Sequence, residues 1–277
     1  MRRRLAYFGT PSMAVPPLEA LVAAGHDVAV VVTRVDKRRG RGGELSPSPV
    51  KAAALALGLP VSHQVDDVLG LDVELGVVVA FGQLIRPHVL AEVPMVNLHF
   101  SLLPRWRGAA PVERALLAGD AETGVCLMQL EEGLDTGPVL DTVRIPIGPH
   151  LTANELRAQL VQVGTEQLVR VLAEPLGEAA PQQGQPTYAA KIARAELRID
   201  WSRPVEEVDR LIRLGGAWTT FRGKRLKVHA AELDGRGDQL PPTPGVRLVT
   251  VQPEGKSPMS FTDFARGARP QPGERFE

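Results

Sequence analysis

Two polar side chains set two residues apart in an apolar run, Asn97 and His99, are the residues of this chain whose types and spacing most clearly point to chemistry. Met95, Val96, Leu98 and Phe100 around them are strand formers, and on a strand that spacing puts both side chains on one face. An amide donates a hydrogen bond, and an imidazole gains or loses a proton near neutral pH. The strand must stop at Ser101-Leu102-Leu103-Pro104, because proline cannot donate to a sheet ladder. The pair therefore falls at a strand's carboxyl end, where open α/β sheets bind ligands. A carboxylate follows at Asp135, in the Gly-rich stretch Glu132-Gly133-Leu134-Asp135-Thr136-Gly137. Amide, imidazole and carboxylate together suffice for acyl transfer. No His/Cys cluster has metal-ligand spacing, and no Ser or Cys stands in a nucleophile elbow. A single Asn on a strand is usually a satisfied structural group, and a single core His is more often packed than catalytic. Side by side at a strand end, both need partners, and a ligand supplies them.

The elements that must hold these residues alternate. Leu5 to Phe8 reads as a short buried strand closed by Gly9-Thr10-Pro11, and Ser12 to Ala24 as a helix ending at Gly25. Val28 to Thr33 is a second buried strand, and Ser48-Pro49 opens a helix to about Leu57. Val77 to Phe81 and 95–100 are further strands, followed by a helix from Pro111 to about Ala118 and a strand over Val125 to Leu130. Buried strands separated by helices predict a Rossmann-like, mostly parallel, doubly wound α/β sheet. No Gly-x-Gly-x-x-Gly follows the first strand, which argues against a nicotinamide oxidoreductase. Thr152 and Glu155 form a capping box that starts a helix to about Leu172. Residues 173–190, rich in Pro, Gly and Gln, have the composition of a linker. Beyond it come a small helical segment and short strands, Trp218 to Arg222 and Arg225 to Ala230, between Gly- and Pro-rich turns, which suggest a small β-barrel. The expected domains are 1–172, a linker over 173–190, and 191–277.

Bulk composition bounds the rest. The 277 residues suit two modest domains, and 44% hydrophobic with 23% charged residues is ordinary for a globular protein. Cys126 is the only cysteine, so no intramolecular disulfide forms and a cytoplasmic setting is expected. No apolar run approaches bilayer-spanning length, so no membrane partner is expected. Net charge is zero, with 32 basic against 32 acidic residues, and from Lys191 onward 16 basic side chains face 12 acidic ones. Contact with nucleic acid must then be local. One local patch stands out: residues 34–43 carry five basic side chains and one acidic one between a strand and a helix, where two to six residues are usual. A solvated loop explains it, as does a contact with RNA phosphate plus one or two Arg at base edges.

At Asn97, His99, Ser101 to Pro104, Arg105 to Pro111 and Gly133 to Gly137, the chain resembles the folate-dependent formyltransferases. The likeness extends to Phe8-Gly9-Thr10-Pro11 and to Val251 through Lys256, and so covers nearly the whole chain. Within that family it is similar to the branch that formylates initiator methionyl-tRNA for translation initiation. The resemblance implies 10-formyltetrahydrofolate as the formyl donor, no metal, and Asn97, His99 and Asp135 as the catalytic residues. It implies that Ser101, Leu102, Leu103 and Pro104 bind the folate, with Val79, Ala80, Phe81 and Gly82 walling the pterin slot. It further implies an OB-like C-terminal domain that contacts tRNA, and a basic loop (Lys37, Arg38, Arg39, Arg41) that enters the acceptor stem. Arg41 there matches the residue that senses the weak first base pair. A monomer is expected. The chain departs from the family between Pro244-Gly245 and Val251, and again at Leu214 to Trp218, where relatives carry more residues. A sugar-nucleotide or glycinamide-ribonucleotide acceptor would keep the three catalytic residues without needing the basic loop. A non-catalytic tRNA-binding protein would leave the Asn97/His99 pair unexplained.

Overall fold

A computed structural model describes residues 1–39, 43–233 and 245–277, and the chain divides into two units. The first comprises Met1–Pro111, Glu122–Pro146 and Arg157–Ala189, the second Val112–Ala121, Ile147–Leu156 and Ala190–Glu277. In chain order the elements begin β1 (Arg4–Gly9), α1 (Val15–Ala23), β2 (Asp27–Val32), β3 (Lys37–Arg39), β4 (Glu44–Ser46) and α2 (Pro49–Ala56). There follow β5 (Val61–Ser62), β6 (Leu75–Val79), α3 (Pro87–Glu92), β7 (Met95–His99), β8 (Arg107–Gly108), α4 (Pro111–Ala118), β9 (Glu122–Gln129), β10 (Val139–Pro146) and α5 (Ala153–Leu172). The chain closes with β11 (Tyr188–Ala189), α6 (Val205–Leu214), β12 (Trp218–Phe221), β13 (Lys224–Leu233), β14 (Val246–Pro253), β15 (Met259–Ser260) and α7 (Phe261–Ala268).

The first unit is built on a seven-stranded sheet in the order β10-β9-β7-β6-β1-β2-β5. Its pairings from β7 to β5 are parallel, while β9 runs antiparallel to both β7 and β10. The expected mostly parallel α/β class is therefore the observed one. Consecutive apolar residues form these strands because both faces are covered. Phe8 pairs with Val78 and Val78 with Asn97, so the three side chains share a face. That face packs on a core of Phe8, Val32, Val78, Phe81, Val89 and Val93. Leu98 points the other way, against α5: a Cβ built at Gly164 would lie 3.2 Å from its Cδ2. The period-two alternation thus sends Asn97 and His99 away from α5.

Several local expectations hold at their boundaries. Ser48 caps α2 by accepting from the Lys51 amide at 3.0 Å. Glu155 accepts from the Thr152 amide at 2.9 Å, and Thr152 Oγ1 accepts from the Glu155 amide at 3.3 Å. Others differ. The strand expected over Val77 to Phe81 ends at Val79, because Ala80 turns into the left-handed region at φ 47°. Part of the basic segment, expected as a loop, is a strand: Lys37–Arg39 form β3 and pair antiparallel with β4, Lys37 opposite Ser46 and Arg38 opposite Leu45. The Pro- and Gln-rich stretch 173–190 is pinned along most of its length. Ala180 exchanges backbone hydrogen bonds with Val139, and β11 pairs parallel with β8.

In the second unit β12, β13, β14 and β15 pair antiparallel in that order, so a C-terminal antiparallel sheet stands where a small β-barrel is expected. Val208 and Ile212 of α6 and Phe261 of α7 share its core with Phe221, Leu226, Val228 and Val251. Arg114 on α4 donates to the Ala190 carbonyl at 2.9 Å and pairs with Glu196 at 2.7 Å. Among the described residues, no helix is long and apolar enough to cross a membrane.

Candidate active site

β7 carries Asn97 and His99 into the interior, where they are 9% and 5% exposed. Asn97 lies between Val78 of β6 and Met128 of β9, and His99 is opposite Cys126. Burial pushes the Cys126 thiol up, so it stays protonated and is no nucleophile at neutral pH. Beyond His99 the chain leaves the sheet through Ser101 to Pro104. Ser101 is wholly buried, and its hydroxyl donates to the Arg105 carbonyl at 2.7 Å. Leu102 lies against Gly124 of β9, and the Leu103–Pro104 peptide is cis.

The turn that follows brings the chain back over the imidazole. Trp106 adopts φ 64°, and its carbonyl sits 3.0 Å from His99 Nε2. A carbonyl only accepts, so Nε2 carries the hydrogen and the neutral ring has its lone pair on Nδ1. Nδ1 faces Asp135, whose Oδ2 is 3.6 Å away, with both side chains largely shielded. Asp135 is itself fixed: the Gly108 amide donates to the same Oδ2 at 2.8 Å. The backbone at Asp135 is left-handed, at φ 50°. Gly137 follows, where a Cβ would run into the Gln129 carbonyl, so the turn lies too close to β9 for any side chain. The structure therefore assembles Asn97, His99 and Asp135 in one unit from two segments far apart in sequence.

The expected folate residues surround this centre unevenly. Val79 and Phe81 are buried, and Phe81 stacks edge-on against Phe8 with ring centroids 5.4 Å apart, so both side chains are core. Ala80 and Gly82 are more open. The segment is tied in place: Thr10 Oγ1 donates to the Phe81 carbonyl at 3.2 Å, and Arg34 donates to the Gly82 carbonyl. Lys37 and Arg38 lie on β3, while Arg41 falls outside the described residues. Asp36 pairs with Lys51 at 2.8 Å at the foot of that hairpin. No group of three or more His, Cys, Asp or Glu side chains with the geometry of a metal site occurs among the described residues.

Several groups at this centre carry no sequence signal. The Trp106 carbonyl and the Gly108 amide belong to the backbone, which every residue has. Gln182 and Thr187 lie in the linker-like stretch, yet Gln182 Nε2 donates to the Asp135 and Gly137 carbonyls, each at 2.8 Å. Thr187 Oγ1 accepts from the Trp106 amide at 2.9 Å.

Residues 3–172 match a family model described as formyl transferase, and residues 191–269 one described as formyl transferase, C-terminal domain. The methionyl-tRNA formyltransferase of Roseobacter denitrificans is 45% identical over 302 residues, covering 99% of each chain. That of Symbiobacterium thermophilum is 42% identical, covering 99% of this chain and 95% of the relative. Among solved structures, methionyl-tRNA formyltransferase from Clostridium thermocellum superposes with a TM-score of 0.66 at 13% identity, over 91% of this chain and 99% of that one. The N-formyltransferase of Helicobacter canadensis, in complex with folinic acid and dTDP-3-aminofucose, gives 0.69 at 16% identity, over 91% and 100%. At such identities these two structures speak for the fold.

Proposed function

The chain belongs to the methionyl-tRNA formyltransferase family, and from that premise we propose that it transfers the formyl group of 10-formyltetrahydrofolate to the α-amine of methionine on initiator tRNA, for translation initiation. The observation that carries the reading is the trio on β7 and the Asp135 turn, a buried amide and imidazole beside a partly buried carboxylate, with Nδ1 3.6 Å from Oδ2. In the reaction the amine nitrogen bonds to the formyl carbon and the bond from that carbon to the folate nitrogen breaks. One proton leaves the amine, and one reaches the departing nitrogen.

The residues present suit this chemistry. Asn97 is assigned the donor to the developing oxyanion, which needs a buried amide aimed at the formyl oxygen. His99 is assigned the proton shuttle. Because Nε2–H is committed to the Trp106 carbonyl, Nδ1 is the nitrogen that takes and returns the proton. Asp135 then stabilises the imidazolium from the Nδ1 side, and its hold on the Gly108 amide keeps it there. Ser101 to Pro104, with the backbone of Val79 to Gly82, is assigned the folate contact. Residues 1–172 would form the catalytic domain and 191–277 a tRNA-binding domain joined through 173–190. Lys37, Arg38, Arg39 and Arg41 would meet the acceptor stem, and the enzyme would act as a cytoplasmic monomer.

A formylation assay tests the acceptor. Charged initiator tRNA should be used far better than an amino-sugar nucleotide or glycinamide ribonucleotide, each offered with the same donor. Preference for a small amine would move the assignment to another branch of the family.

A further inference from the structure

We infer that residues 182–187 form a strap that sets the His99 imidazole between its two partners, with Gln182 and Thr187 as positioning residues for formyl transfer; this rests on the roles proposed above for His99 and Asp135. The imidazole is held from two sides, by the Trp106 carbonyl at Nε2 and the Asp135 carboxylate at Nδ1. Each belongs to a turn, and each turn is tied to the strap. On the Nε2 side, Trp106 sits at φ 64°, uncommon for a bulky residue. Thr187 accepts from its amide through Oγ1, while Thr187's own amide and carbonyl bond the Pro104 carbonyl and the Arg107 amide at 3.2 and 2.9 Å.

On the Nδ1 side the Gln182 amide is fully employed. Both Nε2 hydrogens go to carbonyls at the two ends of Asp135-Thr136-Gly137. Its Oε1 accepts from Arg107 Nε at 3.1 Å and Nη2 at 2.6 Å. Flipping the amide would set its oxygen against two carbonyls and its nitrogen against a guanidinium, so Arg107 fixes its orientation. Burial cannot do this work, since residues 131–134 and Thr136 are exposed and Leu134 is 62% exposed. The strap supplies the constraint that the core does not. With Nδ1 and Oδ2 already 3.6 Å apart, beyond hydrogen-bond length, further displacement would weaken the carboxylate's hold on the imidazolium and misplace the ring.

The test is steady-state kinetics on the full chain, with each substrate varied in turn. Gln182→Ala and Gln182→Glu should lower kcat about 10- to 100-fold, the scale of a misplacement near an ångström, while leaving both KM values within about twofold. Gln182→Glu keeps the contact with Arg107 and loses both donors, so it separates the clamp from simple packing. Thr187→Val should lower kcat, and Thr187→Ser should restore it, because serine keeps the acceptor. In the double variant, Gln182→Ala should add little to Asp135→Asn, as two changes acting through one carboxylate are not additive. Full activity in both Gln182 variants and in Thr187→Val, while Asp135→Asn is impaired, overturns the strap and leaves the catalytic reading standing. So does a Gln182 effect that multiplies fully with Asp135→Asn, or that follows only a fall in Tm. A fully active Asp135→Asn would instead remove the catalytic reading on which the strap depends.

Discussion

At the scale of single residues, the side chains that could do chemistry are readable in sequence because their types are unusual where they stand. Asn97 and His99 break an apolar run with a period of two, and that period predicts their shared face. The groups that orient them are not readable, since a Trp106 carbonyl and a Gly108 amide look like any other backbone. The imidazole's tautomer follows only from the structure, and it makes one prediction sharp. His99→Ala should lower kcat by about 100-fold or more and leave folate KM within a few-fold, since a proton shuttle acts in the transition state. A variant keeping a tenth of wild-type kcat would sink the assignment. Asn97→Ala should likewise lower kcat, by about 100- to 1000-fold for a lost oxyanion donor. Asn97→Asp should be at least as slow, because a carboxylate would face the forming negative charge. Near-normal kcat in Asn97→Asp would end the oxyanion role.

At the scale of elements, apolarity located the buried strands but misplaced their ends and missed the half-exposed ones. Val77 to Phe81 is apolar throughout, yet the strand ends at Val79, where Ala80 turns left-handed and Phe81 packs edge-on against Phe8. β10 carries Asp141 and Arg144 within its run, and as an antiparallel strand with one open face it lacks the uniform apolarity of a parallel one. The linker-like stretch shows the same limit. Its composition reads as loose chain, but hydrogen bonds to Arg107, Asp135 and Gly137 hold it. The β3–β4 pair carries Lys37 and Arg38, the residues proposed above to meet the acceptor stem. Lys37→Ala and Arg38→Ala should each weaken tRNA use evenly across sequences and reduce its salt slope by about one, as losing a phosphate contact does. Arg41, outside the described residues, is assigned base reading. Arg41→Ala should cut the preference for initiator over elongator methionyl-tRNA by about 1–3 kcal/mol. Kinetics on the two tRNAs separate these effects, and unchanged values for all three variants would reduce the hairpin to a solvated surface.

At the scale of the whole molecule, charge sets how the two substrates are met. Basic and acidic residues balance at 32 each, so the overall field offers a polyanion no attraction and any tRNA contact must come from patches. One basic patch lies at the β3–β4 pair of the first unit, and from Lys191 onward 16 basic side chains face 12 acidic ones. Polyanion contacts release counterions and weaken steeply with salt, whereas a folate seated at the end of β7 would depend on packing and a few hydrogen bonds. The two KM values should therefore part company. Raising salt from about 50 to 200 mM should raise KM for charged tRNA by at least about tenfold, given several phosphate contacts. KM for the formyl donor should move little over the same range, because a small molecule releases few counterions on binding. If tRNA KM proved as flat as the donor's, the patches would not meet phosphate, and a small amine would become the acceptor to pursue. If both rose together, salt would be acting on the catalytic unit itself, which a fall in kcat over the same range would reveal.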